Sequence, residues 1–183
     1  MMKDILLVID MQKDFIDGAL GTKEAENIVG NVLNKIEEYI NFNKSIYFTM
    51  DSHEDNYLLT QEGRKLPVEH CVKGTEGWKL DSRITEVIDK HRLNKTDVIF
   101  EKNGFGSIDL ANLISKTYED SDETNIEIVG LCTDICVITN AILLKTYMPN
   151  SNIYVNSSCC AGVTEKSHVE ALNTMKMCQI NII

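Results

Sequence analysis

Six short apolar runs, separated by segments of helical periodicity, set the strongest limit on what this chain can fold into. The runs are "DILLVID" (4–10), "SIYFTMD" (45–51), "DVIFEK" (97–102), "NIEIVG" (125–130), "NIYVNSS" (152–158) and "QINII" (179–183). Each has the length and β-branched content of a strand. Between them lie helical patterns over 23–42, 82–90, 107–118, 134–147 and 164–177. In the first of these Ile28, Val32, Ile36 and Ile40 recur one turn apart, and Thr164 stands as an N-cap for the last. Strands that read as continuous apolar runs are buried on both faces, and strands alternating with helices pair in parallel through right-handed crossovers. The pattern predicts an α/β fold: a three-layer sandwich built on a mostly parallel six-stranded sheet.

Composition narrows the setting. A chain of 183 residues, 43% hydrophobic and 25% charged, fits one domain spanning 1–183 with a core of its own. With two prolines, no repeat and no low-complexity stretch, nothing reads as a linker. The longest irregular segment, 52–80, reads as a functional loop. A net charge of −10 and a pI near 4.8 disfavour nucleic acid and anionic membrane as partners. The apolar run Ile5–Ile9 is far too short to span a bilayer and meets Asp10 at once, so a cytoplasmic protein is expected. Six cysteines without a CxxC pair suggest reduced thiols rather than a disulfide framework.

Ligands of an open parallel sheet bind beyond the carboxyl ends of its strands. The first run ends in Asp10, the second in Asp51 and the third in Lys102, while the fourth passes through "GLCTD" into the helix that carries Cys136. A thiol in the first turn of a helix, capped by Thr133 or Asp134, is favoured as thiolate by the free N–H groups there. Asp10 is placed to accept its proton, Lys102 to stabilise the thiolate, and the backbone N–H groups of 132 and 136 to hold an oxyanion. The competing reading is structural: Cys136 faces the core, Asp10 caps a loop and Lys102 is a solvated lysine. The joint occurrence of all three at successive strand ends favours chemistry. Cys132 reads as a small apolar side chain in the turn. A redox pair with Cys136 is the alternative, although such a pair has no need of Asp10 and Lys102.

The second strand end opens the loop "DSHEDNYLLTQEGRKLPVEHCVKGTEGW" (51–78). Asp51, His53 and His70 offer a carboxylate and two imidazoles, a set suited to zinc, iron or manganese, with Glu62 or Asp55 as a further carboxylate. A polar loop with hydrogen-bonded histidines is the alternative.

The segments "LLVIDMQKDFIDGAL" (6–20), "EKNGFGS" (101–107), "GLCTDICV" (130–137) and "SSCCAGVTEKSHVEAL" (157–172) together resemble the isochorismatase-like cysteine hydrolases, over nearly the whole chain. Within that group "LPVEHCVKGTEGW" (66–78) resembles the nicotinamidase branch. The resemblance implies a Rossmann-like hydrolase fold, a catalytic triad of Asp10, Lys102 and Cys136, and a cis peptide between Leu131 and Cys132 that directs the Cys132 N–H at the oxyanion. It implies a divalent metal held by Asp51, His53 and His70, with Glu62 in the fourth place, and a pocket lined by Phe15. It also implies a small amide as substrate and a homo-oligomer. The chain departs from the pattern at Leu66, where many nicotinamidases carry a tryptophan that forms the wall on which the substrate ring stacks. Trp78, the only tryptophan, lies downstream and reads as packing. The expected activity is cleavage of a small amide, nicotinamide first among candidates, with another C–N hydrolase of the same superfamily as the alternative. A redox or non-catalytic thiol protein is the alternative from a different class.

Overall fold

The computed structural model describes residues 2–183. Its centre is a six-stranded sheet of β1 (Lys3–Ile9), β2 (Ser45–Asp51), β3 (Ile99–Lys102), β4 (Thr124–Leu131), β5 (Asn152–Ala161) and β6 (Asn181–Ile182). The order is β3-β2-β1-β4-β5-β6, and every neighbouring pair runs parallel. The sheet is therefore parallel throughout, one step beyond the expected "mostly".

The pleat divides the core. Leu6 and Val8 of β1 point to one face, where they meet α2 (Lys23–Asn41) and α4 (Ser82–Lys90). Ile5, Leu7 and Ile9 point to the other, against α6 (Ile108–Thr117), α7 (Ile138–Tyr147) and α8 (Glu165–Met177). Two-sided burial is why β1 shows no polar alternation. Helix α2 begins where the Thr22 side chain accepts from the Ala25 N–H, and it lays Val29, Val32 and Ile36 on the sheet. It stops just before Asn43, which takes a left-handed φ of 52°.

Several boundaries moved for local reasons. The third strand starts at Ile99 rather than 97, because Asn94 caps a short α5 (Lys95–Val98) ahead of it. Another short helix, α1 (Lys13–Ile16), follows β1. The segment 52–80 contains a 3-10 turn at Tyr57–Leu59 and α3 (Gln61–Lys65), the latter capped by Thr60. The helix expected from 134 begins instead as a π-helical turn, Thr133–Val137, and becomes α-helical at Ile138.

Strand β1 lies between β2 and β4, so the chain first builds outward through β2 and β3 and then returns to the other side of β1. A crevice opens at such a reversal, beyond the carboxyl ends of the strands. Asp10 and the Gly130–Cys132 turn stand at that crevice.

Candidate active site

Gly130 explains the break in the fourth strand. It has φ 119°, and a Cβ there would lie 2.1 Å from the carbonyl oxygen of Ile9, so only glycine lets β4 approach β1 this closely. The register shifts at the same point, and the Leu131–Cys132 peptide is cis. The chain then enters the π-helical turn that carries Cys136. Such turns are frequent at functional sites.

Asp10 follows β1 with a left-handed φ of 47°, its N–H held by the Thr49 carbonyl at 3.2 Å. The Thr49 hydroxyl donates to Asp10 Oδ1 at 2.6 Å. Lys102 Nζ lies 2.7 Å from Asp10 Oδ2, 3.5 Å from Cys136 Sγ and 3.5 Å from Asp51 Oδ1. One ammonium thus sits among two carboxylates and a thiol, all of them buried. Burial raises Asp10 above the ordinary carboxylate range against the pull of Lys102. Burial disfavours the charged form of Lys102, but the carboxylates of Asp10 and Asp51 outweigh it and raise the lysine.

The thiol differs from the expectation. No side chain caps the turn at Cys132, neither Thr133 nor Asp134 is the cap residue, and burial pushes Cys136 well above the usual thiol range, with Asp10 adding and Lys102 opposing. Burial thus favours the protonated thiol, and the neighbour that opposes it is the Lys102 ammonium rather than the helix end. The thiol of Cys132, four residues earlier, is pushed up to about 12 by burial and by Asp134 and Asp10.

Ligand atoms of Asp51, His53 and His70 lie within 4.8 Å of one another, and all three residues are buried. His70 Nδ1 is bonded to the Val68 carbonyl at 2.8 Å, which fixes the proton there and leaves Nε2 a lone pair. His53 Nε2 lies 3.0 Å from Asp51 Oδ2 yet is buried without a hydrogen bond. Ligands on a common cation at bonds of about 2.1 Å sit at about this spacing, aimed at the ion rather than at each other. Glu62 Oε1 is 3.9 Å from His53 Nε2, within a small side-chain movement of the same centre. The residues present fit a divalent metal with nitrogen and oxygen ligands.

Side chains that the sequence reading did not single out build the frame. Gln12, fully buried, donates to the carbonyls of Asp51 and Trp78 and accepts from the Asp51 N–H, so it fixes the end of β2. Asp14 accepts from the Cys71 N–H at 2.8 Å and from the Ala19 N–H at 3.2 Å, which ties the 52–80 loop to the segment after β1. Tyr57 packs its ring 4.6 Å from His53 and 4.9 Å from His70. Asn140 donates to the Cys136 and Phe105 carbonyls and accepts from the Ser107 N–H. The sequence signal for Asn140 was present: it is a lone amide one helical turn after Cys136, on a face otherwise formed by Ala141 and Leu144.

A cavity of about 530 Å³ opens beside Cys136. Cys136, Leu131 and Cys132 border it, and Asp51, Glu62 and His70 stand on its polar side. Phe15 lines it, with its ring 5.5 Å from that of His70. Leu66 lines it as a partly exposed aliphatic wall, together with the unanticipated Phe105, Ile135 and Val163. Trp78 is not in this wall: its indole N–H donates to Ser52 Oγ at 2.7 Å and its ring packs on the core. Among the described residues no helix is long and apolar enough to cross a membrane.

The Isochorismatase domain family matches residues 4–183. A Bacillus subtilis protein described as the uncharacterized isochorismatase family protein PncA is 28% identical over 94% of this chain and 93% of its own. The structure is similar to the pyrazinamidase/nicotinamidase of Streptococcus mutans, with a TM-score of 0.85 at 26% identity over 99% of this chain and 100% of that one. It is also similar to the pyrazinamidase of Pyrococcus horikoshii solved in complex with zinc, with a TM-score of 0.78 at 25% identity over 99% of this chain and 98% of the other.

Proposed function

Since the chain belongs to the isochorismatase family, we propose that it is a nicotinamidase-like amidohydrolase acting through a cysteine thioester. The observation that carries this reading is the placement of Lys102 Nζ 2.7 Å from Asp10 Oδ2 and 3.5 Å from Cys136 Sγ, with Cys136 on the wall of a cavity bordered by Asp51 and His70. Asp10 takes the proton of Cys136 while Lys102 stabilises the forming thiolate, and the sulfur adds to the amide carbonyl carbon. The N–H groups of Cys132 and Cys136 hold the tetrahedral oxyanion. Asp10 returns the proton to the leaving nitrogen, the C–N bond breaks, and ammonia departs from the thioester. Asp10 then removes a proton from water, whose oxygen attacks the thioester; the C–S bond breaks to release the carboxylic acid, and Asp10 returns the proton to the Cys136 sulfur. The raised basicity of the buried Asp10 suits it to both proton transfers.

Asp51, His53, His70 and Glu62 would hold a divalent metal, which when bound supplies a Lewis-acidic anchor for a ring nitrogen or a water. Phe15 and Leu66 flank the substrate. We place the enzyme, a single domain over 1–183, in the cytoplasm, where its free thiols stay reduced, and carry over a homo-oligomeric state from the family resemblance.

Ammonia release from nicotinamide, with Cys136→Ala as control and with zinc, iron or manganese added, tests the reading. Release that is lost in the variant supports it. A folded, metal-loaded wild type that releases none would remove nicotinamide as the substrate. Leu66 favours a second reading, because an aliphatic, partly exposed wall gives no ring to stack on: a carbamoyl, ureido or other small amide then becomes the substrate, and the same assay across such amides finds it.

A further inference from the structure

The proposed metal ligands do not face one cavity. Asp51 and His70 border the apolar cavity described above, whereas His53 borders a separate cleft of about 830 Å³ on the far side of α3. Gln61 and Glu62, the first residues of α3, line both. The cleft offers oxygen donors in Thr60, Gln61, Glu62, Asn103 and Ser107, and it reaches Lys102. The buried, unpartnered Nε2 belongs to His53, the ligand on the cleft side. Glu54, Glu101 and Asp109 border the cleft with Lys73 among them, Lys73 Nζ lying 3.1 Å from Glu101 and 3.6 Å from Glu54. These ion pairs are exposed and easily opened, since such pairs are worth about 0–1 kcal/mol.

We propose that a divalent cation enters and leaves the Asp51–His53–His70 site through this polar cleft, and that the amide uses the apolar cavity, with the Gln61–Glu62 start of α3 as the partition. The inference rests on the metal-site reading above. A hydrated cation sheds water stepwise and needs replacement oxygens along its path; apart from Asp51 itself and the shared Gln61 and Glu62, the cavity adds only the Thr22 hydroxyl beside Phe15, Leu66, Phe105, Ile135 and Val163, whereas the cleft adds Ser52, Asn56, Thr60, Asn103 and Ser107. Net negative charge at the cleft draws a cation inward. The consequence is that the metal exchanges while the amide's cavity is filled.

The test measures the rate at which zinc-free full-length protein takes zinc sulfate from a chromophoric chelator. Asn103→Trp, which fills the exposed side of the cleft, slows loading about tenfold with unchanged final stoichiometry. Val163→Trp, which narrows the apolar cavity, leaves the loading rate within about twofold while raising the KM for the amide. Glu54→Lys, an exposed change that spares the fold, slows loading about threefold at low salt and not at high salt. Slowing by Val163→Trp equal to or greater than that by Asn103→Trp overturns the proposal, as does a wild type that takes up no zinc. Failure to hydrolyse any amide, with the loading pattern intact, strikes the proposed reaction and leaves the separate route standing.

Discussion

Cys136 is buried beside a carboxylate, and both raise its pKa; the Lys102 ammonium at 3.5 Å is the influence that opposes them. In the free enzyme the thiol is therefore protonated at neutral pH, and alkylation by iodoacetamide should rise with pH without levelling off below about pH 8.5, the ordinary thiol pKa. Lys102→Met removes the opposing charge, so the thiol titrates higher still and the alkylation rate at pH 8 should fall about tenfold or more. A plateau near neutrality in the wild type would show that the thiolate is stabilised by something other than Lys102. Residues of this site were legible where chemistry sits at a strand end: Asp10, Asp51, Lys102 and Cys136 converge because a parallel sheet presents its carboxyl ends together. The thiol's protonation was not legible, because it depends on the depth of burial, and sequence spacing carries no depth.

At the scale of elements, the π-helical turn and the first turn of α7 hold Cys136, the proposed nucleophile, and Asn140 locks them to the loop that follows Lys102. Its amide serves three backbone groups, those of Cys136, Phe105 and Ser107. Asn140→Ala leaves these groups without partners in a buried site and should destabilise the protein by about 2–4 kcal/mol in urea denaturation. It should also lower kcat more than it raises KM, since the groups displaced position sulfur rather than substrate. Element types followed from periodicity wherever a segment was long: 82–90 is α4 to the residue, and 45–51 is β2. The turns that aim the site were not legible. The π-turn at 133–137 occupies a stretch whose apolar pattern suits an ordinary helix, and α3 is five residues long, too short for periodicity to register. Likewise Gln12 follows strand β1 in "IDMQ" like any loop polar residue, and only the position of Asp51 shows that its amide is fully engaged.

Across the whole molecule, a cation at the proposed metal site would tie together the end of β2 and the 52–80 loop, which otherwise meet through hydrogen bonds such as those of Gln12 and Asp14. Asp51 is held below the ordinary carboxylate range: burial raises it, and the neighbouring His53 and His70 rings, with the charge of Lys102, more than compensate. A cation that binds this folded arrangement and not the unfolded chain stabilises by mass action, about 2.7 kcal/mol at a free concentration 100 times its Kd. For a chain of 183 residues that corresponds to a rise in Tm of about 5–10 °C. Zinc should therefore raise the melting temperature of the wild type, a chelator should reverse it, and Asp51→Ala should abolish the shift while Cys136→Ala retains it in full. The contrast between the two variants is decisive, because Asp51 and Cys136 are both buried and both near Lys102, yet only one of them belongs to the proposed ligand set. An equal zinc shift in Asp51→Ala would place the cation elsewhere and would separate the loop's stability from the chemistry of the cavity.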